Sequence, residues 1–301
     1  MLTIKKAAEA TGVPEHTLRA WERRYCLFSP ARAPSGYRVY DEEALTRIRD
    51  MHTLVDLGWS PRDASAEVLR QHQSARSGTE LGAPAVGRDP HRDLIQAAAE
   101  LDAARVSRIL DEQFGLLEFE TLVDQWLMPA LVRIGREWAS GAISVAGEHL
   151  VSNTVLRRLS AAYEAAGGRG TGRPVLIGAP PGVHHELGLL AFAVALRRAG
   201  LPTIYLGADV PLEAWVDAVD ASSPLAVVTS APRRRDAARV AEVADVLRAA
   251  DPALPIWVGG RFQDLLPPPS RPLGHRIGAA ATMLAATTTA TDALEGLWTT
   301  K

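Results

Sequence analysis

The chain has 301 residues, 47% of them hydrophobic and 23% charged, and a formal net charge of −2 at pH 7. This length allows two or three domains with separate cores, and the near-neutral charge argues against a uniformly basic protein that coats nucleic acid. The single cysteine, Cys26, excludes an internal disulfide, and no apolar stretch approaches the roughly 20 residues of a membrane span. Because the N-terminus also lacks the pattern of a signal peptide, we expect a soluble, cytoplasmic protein.

The first block, residues 1–72, combines many charges with a helical apolar pattern. A helix is predicted over residues 3–10 and, after a tight turn, a second over residues 15–25, whose first turn suits Pro14. Residues 36–40 then predict a β-hairpin wing. Side chains on such elements contact DNA phosphates and base edges, although a helical domain with solvated arginines is the alternative. The candidate DNA-contacting residues are His16, Thr17, Arg19, Arg23, Arg24, Tyr37 and Arg38.

These two elements resemble the helix and wing of the MerR family of regulators. The matching segments are Thr-Leu-Arg-Ala-Trp-Glu-Arg-Arg-Tyr at residues 17–25 and Ser-Gly-Tyr-Arg-Val-Tyr at residues 35–40. The similarity extends over residues 2–69. It implies a winged helix-turn-helix domain that binds double-stranded operator DNA as a dimer.

The middle of the chain predicts a linker followed by a bundle. Residues 73–89 are rich in Ser, Gly, Ala and Pro, which is typical of a flexible linker. Over residues 90–168, apolar residues recur at helical spacing, as in Leu122, Trp126 and Ile134, and this predicts a small bundle of the four-helix type.

Residues 173–298 alternate short apolar runs with helical segments, which predicts a doubly wound, Rossmann-like parallel sheet. The whole chain is therefore a multidomain α plus α/β protein. The expected strands are residues 175–178, 203–206, 226–229 and 255–258; the expected helices are 186–199, 212–220 and 236–249, with a Pro-rich loop over 265–272 and a closing helix over 280–297. Arg233 to Asp236 are expected to form a solvated helix start, and contact with an anionic cofactor tail or a partner subunit is the alternative.

The loop after the first of these strands carries His185 and, three residues later, Gly188. Open parallel sheets bind ligands at the carboxyl ends of their strands, and a neutral imidazole there can bind cobalt or zinc. Ser230 and the pair Gly259-Gly260 also follow strands, and their small size predicts a slot at the same edge. A loop histidine without a ligand is the alternative.

These residues resemble the cobalamin-binding pattern D-x-H-x-x-G, S-x-L, G-G, through His185 and Gly188, Ser230, and Gly259-Gly260. The resemblance implies that His185 is the lower cobalt ligand. It also implies that the base tail of the cofactor enters the slot past the serine and the glycine pair.

The predicted bundle carries a second resemblance. Trp138 followed by Glu148-His149 matches the W-x9-E-H signature of cobalamin photoreceptor regulators of the CarH and LitR type. The class implies that these three residues surround the adenosyl group of adenosylcobalamin, and that the bundle caps the cofactor. For Trp138, packing in the core near a helix end is the alternative. In this class a dark oligomer represses transcription, and light breaks the cobalt–carbon bond and dissociates a tetramer.

Three positions depart from these patterns. Val183 stands where the family has a carboxylate, Pro232 replaces the leucine, and Ala139 replaces a histidine. Loss of a carboxylate partner weakens metal binding by about 10- to 100-fold, although His184 or a backbone carbonyl can substitute. The alternative function is therefore a MerR-type regulator that binds another tetrapyrrole or ligand, or that does not respond to light.

A corrinoid enzyme subunit is a third hypothesis, but the DNA-binding head argues against it. The sequence Glu186 to Leu189 also lacks the second histidine of an H-E-x-x-H metalloprotease motif. We therefore predict a cobalamin-dependent, light-responsive transcriptional repressor that is not an enzyme.

Overall fold

A computed structural model describes residues 1–28, 31–32, 38–56, 61–62, 64–66, 68–69, 72, 89–167 and 172–298. They belong to two compact units, residues 1–89 and 90–301. Tyr37 and nearly all of the predicted linker lie outside the described residues. In the part of the chain that the structure describes, no helix is long and apolar enough to cross a membrane.

In its described residues, the first unit combines helices with a small antiparallel sheet. Its elements are β1 (Leu2–Thr3), α1 (Ile4–Thr11), α2 (Glu15–Tyr25), β2 (Ala31–Arg32), β3 (Arg38–Tyr40) and α3 (Glu42–Asp56), with strand order β1-β3-β2. Gly12 ends α1 at φ 70°, a left-handed conformation that glycine adopts without strain, and its N–H bonds to the carbonyl of Ala8. This turn lets Leu18 and Trp21 of α2 pack into the core of the unit. Thr3, expected in the first helix, instead pairs with Val39 in the sheet.

The second unit begins with a helical bundle. Its helices are α4 (Pro90–Ala99), α5 (Ala103–Leu116), α6 (Phe119–Thr121), a π-helical stretch (Leu122–Leu127), α7 (Met128–Ala139) and α8 (Val145–Ala165). The π-helical stretch, which was not predicted from the sequence, joins α6 to α7. Side chains cap α5 and α8 at their N-termini: Asp102 accepts from the N–H of Arg105, and Ser144 accepts from the N–H of Gly147.

A five-stranded parallel sheet follows, with helices on both faces, which confirms the predicted doubly wound fold. Its elements are β4 (Val175–Gly178), α9 (Leu187–Arg198), β5 (Thr203–Gly207), α10 (Leu212–Ser222), β6 (Ala226–Ser230), α11 (Asp236–Ala250), β7 (Ile256–Gly259), β8 (Arg271–Pro272) and α12 (Ile277–Trp298), in strand order β5-β4-β6-β7-β8. Strand residues alternate between two cores: Ile177 faces α9 and the bundle, whereas Leu176 packs with Trp215 of α10.

Two features of the sheet domain differ from the sequence prediction. Residues Arg271–Pro272, expected in a loop, form the edge strand β8 beside Trp257 and Val258. Proline is tolerated there because an edge strand leaves one row of backbone groups unpaired. The last helix begins at Ile277, three residues before its predicted start.

Asp124 explains that earlier start. Its carboxylate, on the π-helical stretch, accepts hydrogen bonds from the backbone N–H groups of Ile277 (2.6 Å) and Gly278 (3.1 Å). N–H groups in the first turn of a helix have no acceptor within that helix, so Asp124 of the bundle caps α12 of the sheet domain. Tyr163 of α8 makes a second link, because its hydroxyl donates to the carbonyl of Thr203 at 3.1 Å. The bundle and the sheet therefore share one core.

Candidate functional site

The predicted DNA-contacting side chains lie along α2 and on β3. His16, Arg19, Arg23 and Arg24 are exposed, and Thr17 is half-buried. Arg38 on β3 donates from Nε to Oε1 of Glu22 at 3.0 Å, which ties the strand to α2. The structure thus places the described members of this set on one helix and its adjoining strand.

The loop that carries His185 is fixed by its backbone. It runs from the end of β4 to Leu187, at the carboxyl edge of the sheet, as predicted. The N–H of Gly182 donates to Oδ1 of Asp209 at 2.6 Å, and the N–H of Asp209 donates to the carbonyl of Val183 at 3.1 Å. Val183 itself is buried in the core shared with the bundle. A carboxylate would be costly there, so the valine suits the packing of this loop.

Arg233 is the partner of His185. Its Nη2 lies 2.8 Å from Nε2 of the imidazole. Since a guanidinium only donates, Nε2 must accept, and the proton of the neutral ring resides on Nδ1. Burial, followed by the positive charge of Arg233, lowers the pKa of His185, although the carboxylates of Asp236 and Glu148 act in the opposite direction. The imidazole is therefore held in the neutral form that can bind a metal.

The sequence did not predict this contact, because residues 233–236 were expected to form a solvated helix start. Asp236 is only 5% exposed, and its carboxylate accepts from the N–H of Arg233 at 2.9 Å. The run of three arginines that begins three residues after Ser230 was the available signal. Arg234 and Arg235 are exposed, in agreement with the prediction.

The predicted slot residues come together at the same edge. Ser230 and Gly259 are paired neighbours at the ends of β6 and β7, and Ser230 is 9% exposed. Gly260 has φ 87°, and a Cβ atom there would lie 2.8 Å from Oγ of Ser230 and from the carbonyl of Ala231. Only glycine fits this position without displacement. The hydroxyl of Thr229 is buried and has no hydrogen-bond partner among the described residues.

Gly188 lies in the first turn of α9. A Cβ atom there would have one described neighbour within 4 Å, the Sδ of Met128 at 4.0 Å. Met128 is the first residue of α7, so Gly188 leaves room between this turn and the bundle.

Trp138, Glu148 and His149 lie at one end of the bundle, where α7 ends and α8 begins. Trp138 is 45% exposed, which disfavours a role in the core. Glu148 accepts from Oγ of Ser152 at 2.5 Å and lies 2.7 Å from Nδ1 of the exposed His149. It is also close enough to raise the pKa of His185 electrostatically.

Two further observations concern the surroundings of this site. The hydroxyl of Tyr205 donates to Oε2 of Glu186 at 2.7 Å, which joins the histidine loop to β5. A cavity of about 490 Å³ lies at the opposite end of α9, where Arg198 pairs with Glu120. The predicted site residues do not line it, so it is separate from the edge that carries His185.

The sequence matches known families along most of its length. Residues 2–71 match the model of MerR HTH family regulatory proteins, and residues 91–163 and 173–294 match two models described as B12 binding domains. The chain is 36% identical over 265 residues to the HTH-type transcriptional repressor CarH of Myxococcus xanthus, covering 85% of this chain and 88% of CarH. It is 34% identical over 262 residues to the repressor CarA of the same organism, covering 86% of each.

A solved structure supports the fold. The monomethylamine corrinoid protein of Methanosarcina barkeri aligns with 64% of this chain and 96% of its own length, at a TM-score of 0.53 and 14% identity. This likeness shows the bundle-and-sheet fold alone. The sequence matches go further: the chain is a MerR HTH family regulatory protein with B12 binding domains, and it belongs to the same family as the transcriptional repressors CarH and CarA.

Proposed function

We propose that this chain is a repressor that binds operator DNA as a homo-oligomer, and that adenosylcobalamin bound to its second unit controls this binding in response to light. The domain limits that we propose are 1–72 for the DNA-binding head, 90–168 for the cap and 173–298 for the cofactor domain, joined by a linker over 73–89. The observation that carries the proposal is the position of His185 at the carboxyl edge of the sheet, the same edge at which Ser230 and Gly259 end β6 and β7.

The residues at this edge fit a corrinoid. The imidazole of His185 offers a nitrogen ligand for cobalt, and a metal already held in a corrin ring needs only axial ligands from the protein. Gly260 leaves free a position that any side chain would fill, next to the nearly buried Ser230 and the unpartnered hydroxyl of Thr229. The small residues of this edge would admit the cofactor tail, with Gly259 completing the slot.

The cap residues would cover the other side of the cofactor. Trp138 offers an exposed aromatic face, and Glu148 and His149 form a polar pair at the same end of the bundle. When bound, adenosylcobalamin supplies a cobalt–carbon bond that light can break. Ala139 has no ligating side chain, so this position offers the cobalt no second histidine.

The first unit would bind the operator through α2 and the wing. The exposed arginines of α2 suit base edges and phosphates of the major groove, and Arg38 suits a flanking phosphate. We infer a regulator located in the cytoplasm rather than an enzyme, because both relatives described above are named transcriptional repressors. Methyl transfer upon addition of methyl donors would contradict this.

The decisive experiment combines spectroscopy with size-exclusion chromatography. Purified protein is incubated with adenosylcobalamin in the dark, and its spectrum and assembly size are recorded before and after green light. We expect a retained cobalamin spectrum that changes on illumination while a larger dark assembly becomes smaller. Retained cofactor without a change in assembly would contradict the light response, and no retained cofactor would favour a different tetrapyrrole or ligand.

Replacing His185 by alanine is expected to weaken cobalamin binding by at least about tenfold. Removing only the hydrogen-bond partner of a metal-ligating histidine already lowers metal affinity by about 10- to 100-fold, and this variant removes the ligand itself. The visible spectrum of bound cobalamin should shift as well. His184→Ala is the matched control, because it removes the neighbouring exposed imidazole of the same loop. An effect confined to His184→Ala would assign the cobalt to that histidine instead.

Replacing Arg19 by alanine is expected to weaken duplex DNA binding. The slope of log affinity against log salt concentration should become shallower by about 0.9 for each phosphate contact that is lost. Folding should be unaffected, because the pair with Glu15 is exposed. Fluorescence anisotropy of a labelled duplex over a series of salt concentrations measures both quantities. Arg49→Ala on α3 removes a similarly exposed arginine paired with Glu42, and equal losses in the two variants would refute the placement of the DNA surface on α2.

A further inference from the structure

The contact between Arg233 and His185 joins two segments 48 residues apart and involves the imidazole that we propose as the cobalt ligand. It engages both ring nitrogens. Nε2 accepts the guanidinium hydrogen, and Nδ1 consequently carries the ring proton. A metal needs a nitrogen lone pair, and in this arrangement neither nitrogen has one available. Moving the proton to Nε2 would place an N–H against the N–H of Arg233 and break the contact.

Arg233 has a fixed backbone, but its side chain is free to leave the contact with His185. Its backbone is fixed, because its N–H donates to the buried carboxylate of Asp236 at 2.9 Å and Pro232 precedes it. Its side chain, by contrast, is exposed. The guanidinium can therefore rotate into solvent without moving the backbone, and it leaves behind no buried unpaired charge. Such a displacement costs little compared with that of a buried ion pair.

We propose that Arg233 is a displaceable partner that occupies the metal-binding nitrogen of His185 until a corrinoid enters, and that it thereby weakens and slows cofactor capture. This inference rests on the proposed function, since it concerns the same histidine. Arg233 is a positioning residue: it sets the tautomer of the free imidazole and competes with cobalt for Nε2. A carboxylate partner on Nδ1 would instead strengthen the ligand, and Val183 supplies none.

Arg233→Leu tests this inference, with Arg234→Leu as the matched control. Both substitutions remove one exposed arginine from the same run, but only Arg233 contacts the histidine. The first readout needs no cofactor. ¹⁵N NMR of the imidazole nitrogens, with the His185 signals assigned by their absence in His185→Gln, reports the tautomer. We expect Nδ1–H in the wild type and in Arg234→Leu, and a shift towards Nε2–H in Arg233→Leu.

The second readout is binding of diaquacobinamide, a corrinoid without the nucleotide tail, so that a lost contact between Arg233 and that tail cannot mask the effect. Arg233→Leu should bind this probe about two- to tenfold more tightly than the wild type, and faster, the range expected for one hydrogen bond at an exposed site. Arg234→Leu should match the wild type.

The outcomes separate the two proposals. Unchanged imidazole signals in Arg233→Leu, or affinity for diaquacobinamide no higher than that of Arg234→Leu, would overturn the role of Arg233 alone. If the wild type and both variants bind no corrinoid, or bind it with spectra identical to that of His185→Ala, the proposed function fails and this inference fails with it.

Discussion

Replacing Gly147 by alanine should destabilise the second unit by about 3 kcal/mol, at the upper end of the usual cost of overpacking. Gly147 is buried in the first turn of α8. A Cβ atom there would overlap the carbonyl oxygen of Ala98, and it would lie 2.7 Å from Cγ2 of Ile143. Backbone cannot rotate away as a side chain can, so α8 must shift. Alanine also favours helix by about 1 kcal/mol over glycine, and the measured loss is what remains after that gain.

Thermal or urea unfolding of the full chain measures this effect, and the melting temperature should fall by about 6 to 12 °C. Gly135→Ala is the control, since no described atom lies within 4 Å of a Cβ atom at that position in α7. It should leave stability unchanged or raise it slightly. Equal melting temperatures for the two variants would show that α4 and α8 do not approach each other as closely as the structure indicates.

The same substitution should weaken adenosylcobalamin retention, because Glu148 directly follows Gly147. The N–H of Gly147 is the group that Ser144 caps, so any shift there changes the start of α8. Glu148 would then move relative to His185, and the cap would no longer close over the sheet edge. If Gly147→Ala retains as much adenosylcobalamin in the dark as Gly135→Ala does, the start of α8 does not contribute to cofactor binding.

Replacing Gly260 by alanine has the second large expected effect, and it acts at the slot. The variant must accept a left-handed backbone at φ 87° and a Cβ atom 2.8 Å from the carbonyl of Ala231 and from Oγ of Ser230. We expect a loss of about 2 to 3 kcal/mol in stability. The affinity for cobalamin should fall by about tenfold or more, a difference that corresponds to about 1.4 kcal/mol.

Gly274→Ala separates strain from crowding. Gly274 has φ 82°, nearly the same backbone conformation, but no described atom lies within 4 Å of a Cβ atom there. This control should lose about 1 kcal/mol of stability and bind cobalamin like the wild type. Equilibrium titration with cobalamin, combined with urea unfolding, measures both quantities. If the two variants lose cobalamin affinity equally, Gly260 does not line the cofactor slot.

Much of the fold was predictable because its determinants are local. The run Val175–Gly178 is buried in full, and such continuous apolar runs are typical of strands covered on both faces. The order of strands and helices then predicts the parallel sheet and its carboxyl edge, which brings His185 near Ser230 and Gly260. Family patterns in the sequence also indicated the end of the bundle that carries Trp138 and Glu148, although their roles there remain predictions.

Other features depend on contacts that no local pattern reveals. Strand β8 exists because Arg271 and Pro272 pair with β7, and Arg271 also places its guanidinium 5.3 Å from the ring centre of Trp257. The start of α12 depends on Asp124, which lies 153 residues before Ile277. Propensity and spacing describe only a residue's near neighbours along the chain, so neither element could be predicted from them.

The sequence by itself determined the class of protein, the order of its domains and the residue types at the sheet edge. The class follows from the resemblance of these motifs to known families, whereas apolar periodicity and glycine positions predict the elements and their order, because they reflect backbone conformation and burial within one element. The tertiary structure alone decided that Arg233 holds the imidazole of His185, that Val183 is buried and that Glu148 approaches from the bundle. These depend on the packing of separate elements, where hydrogen bonds and charges act through space between residues that are distant in sequence.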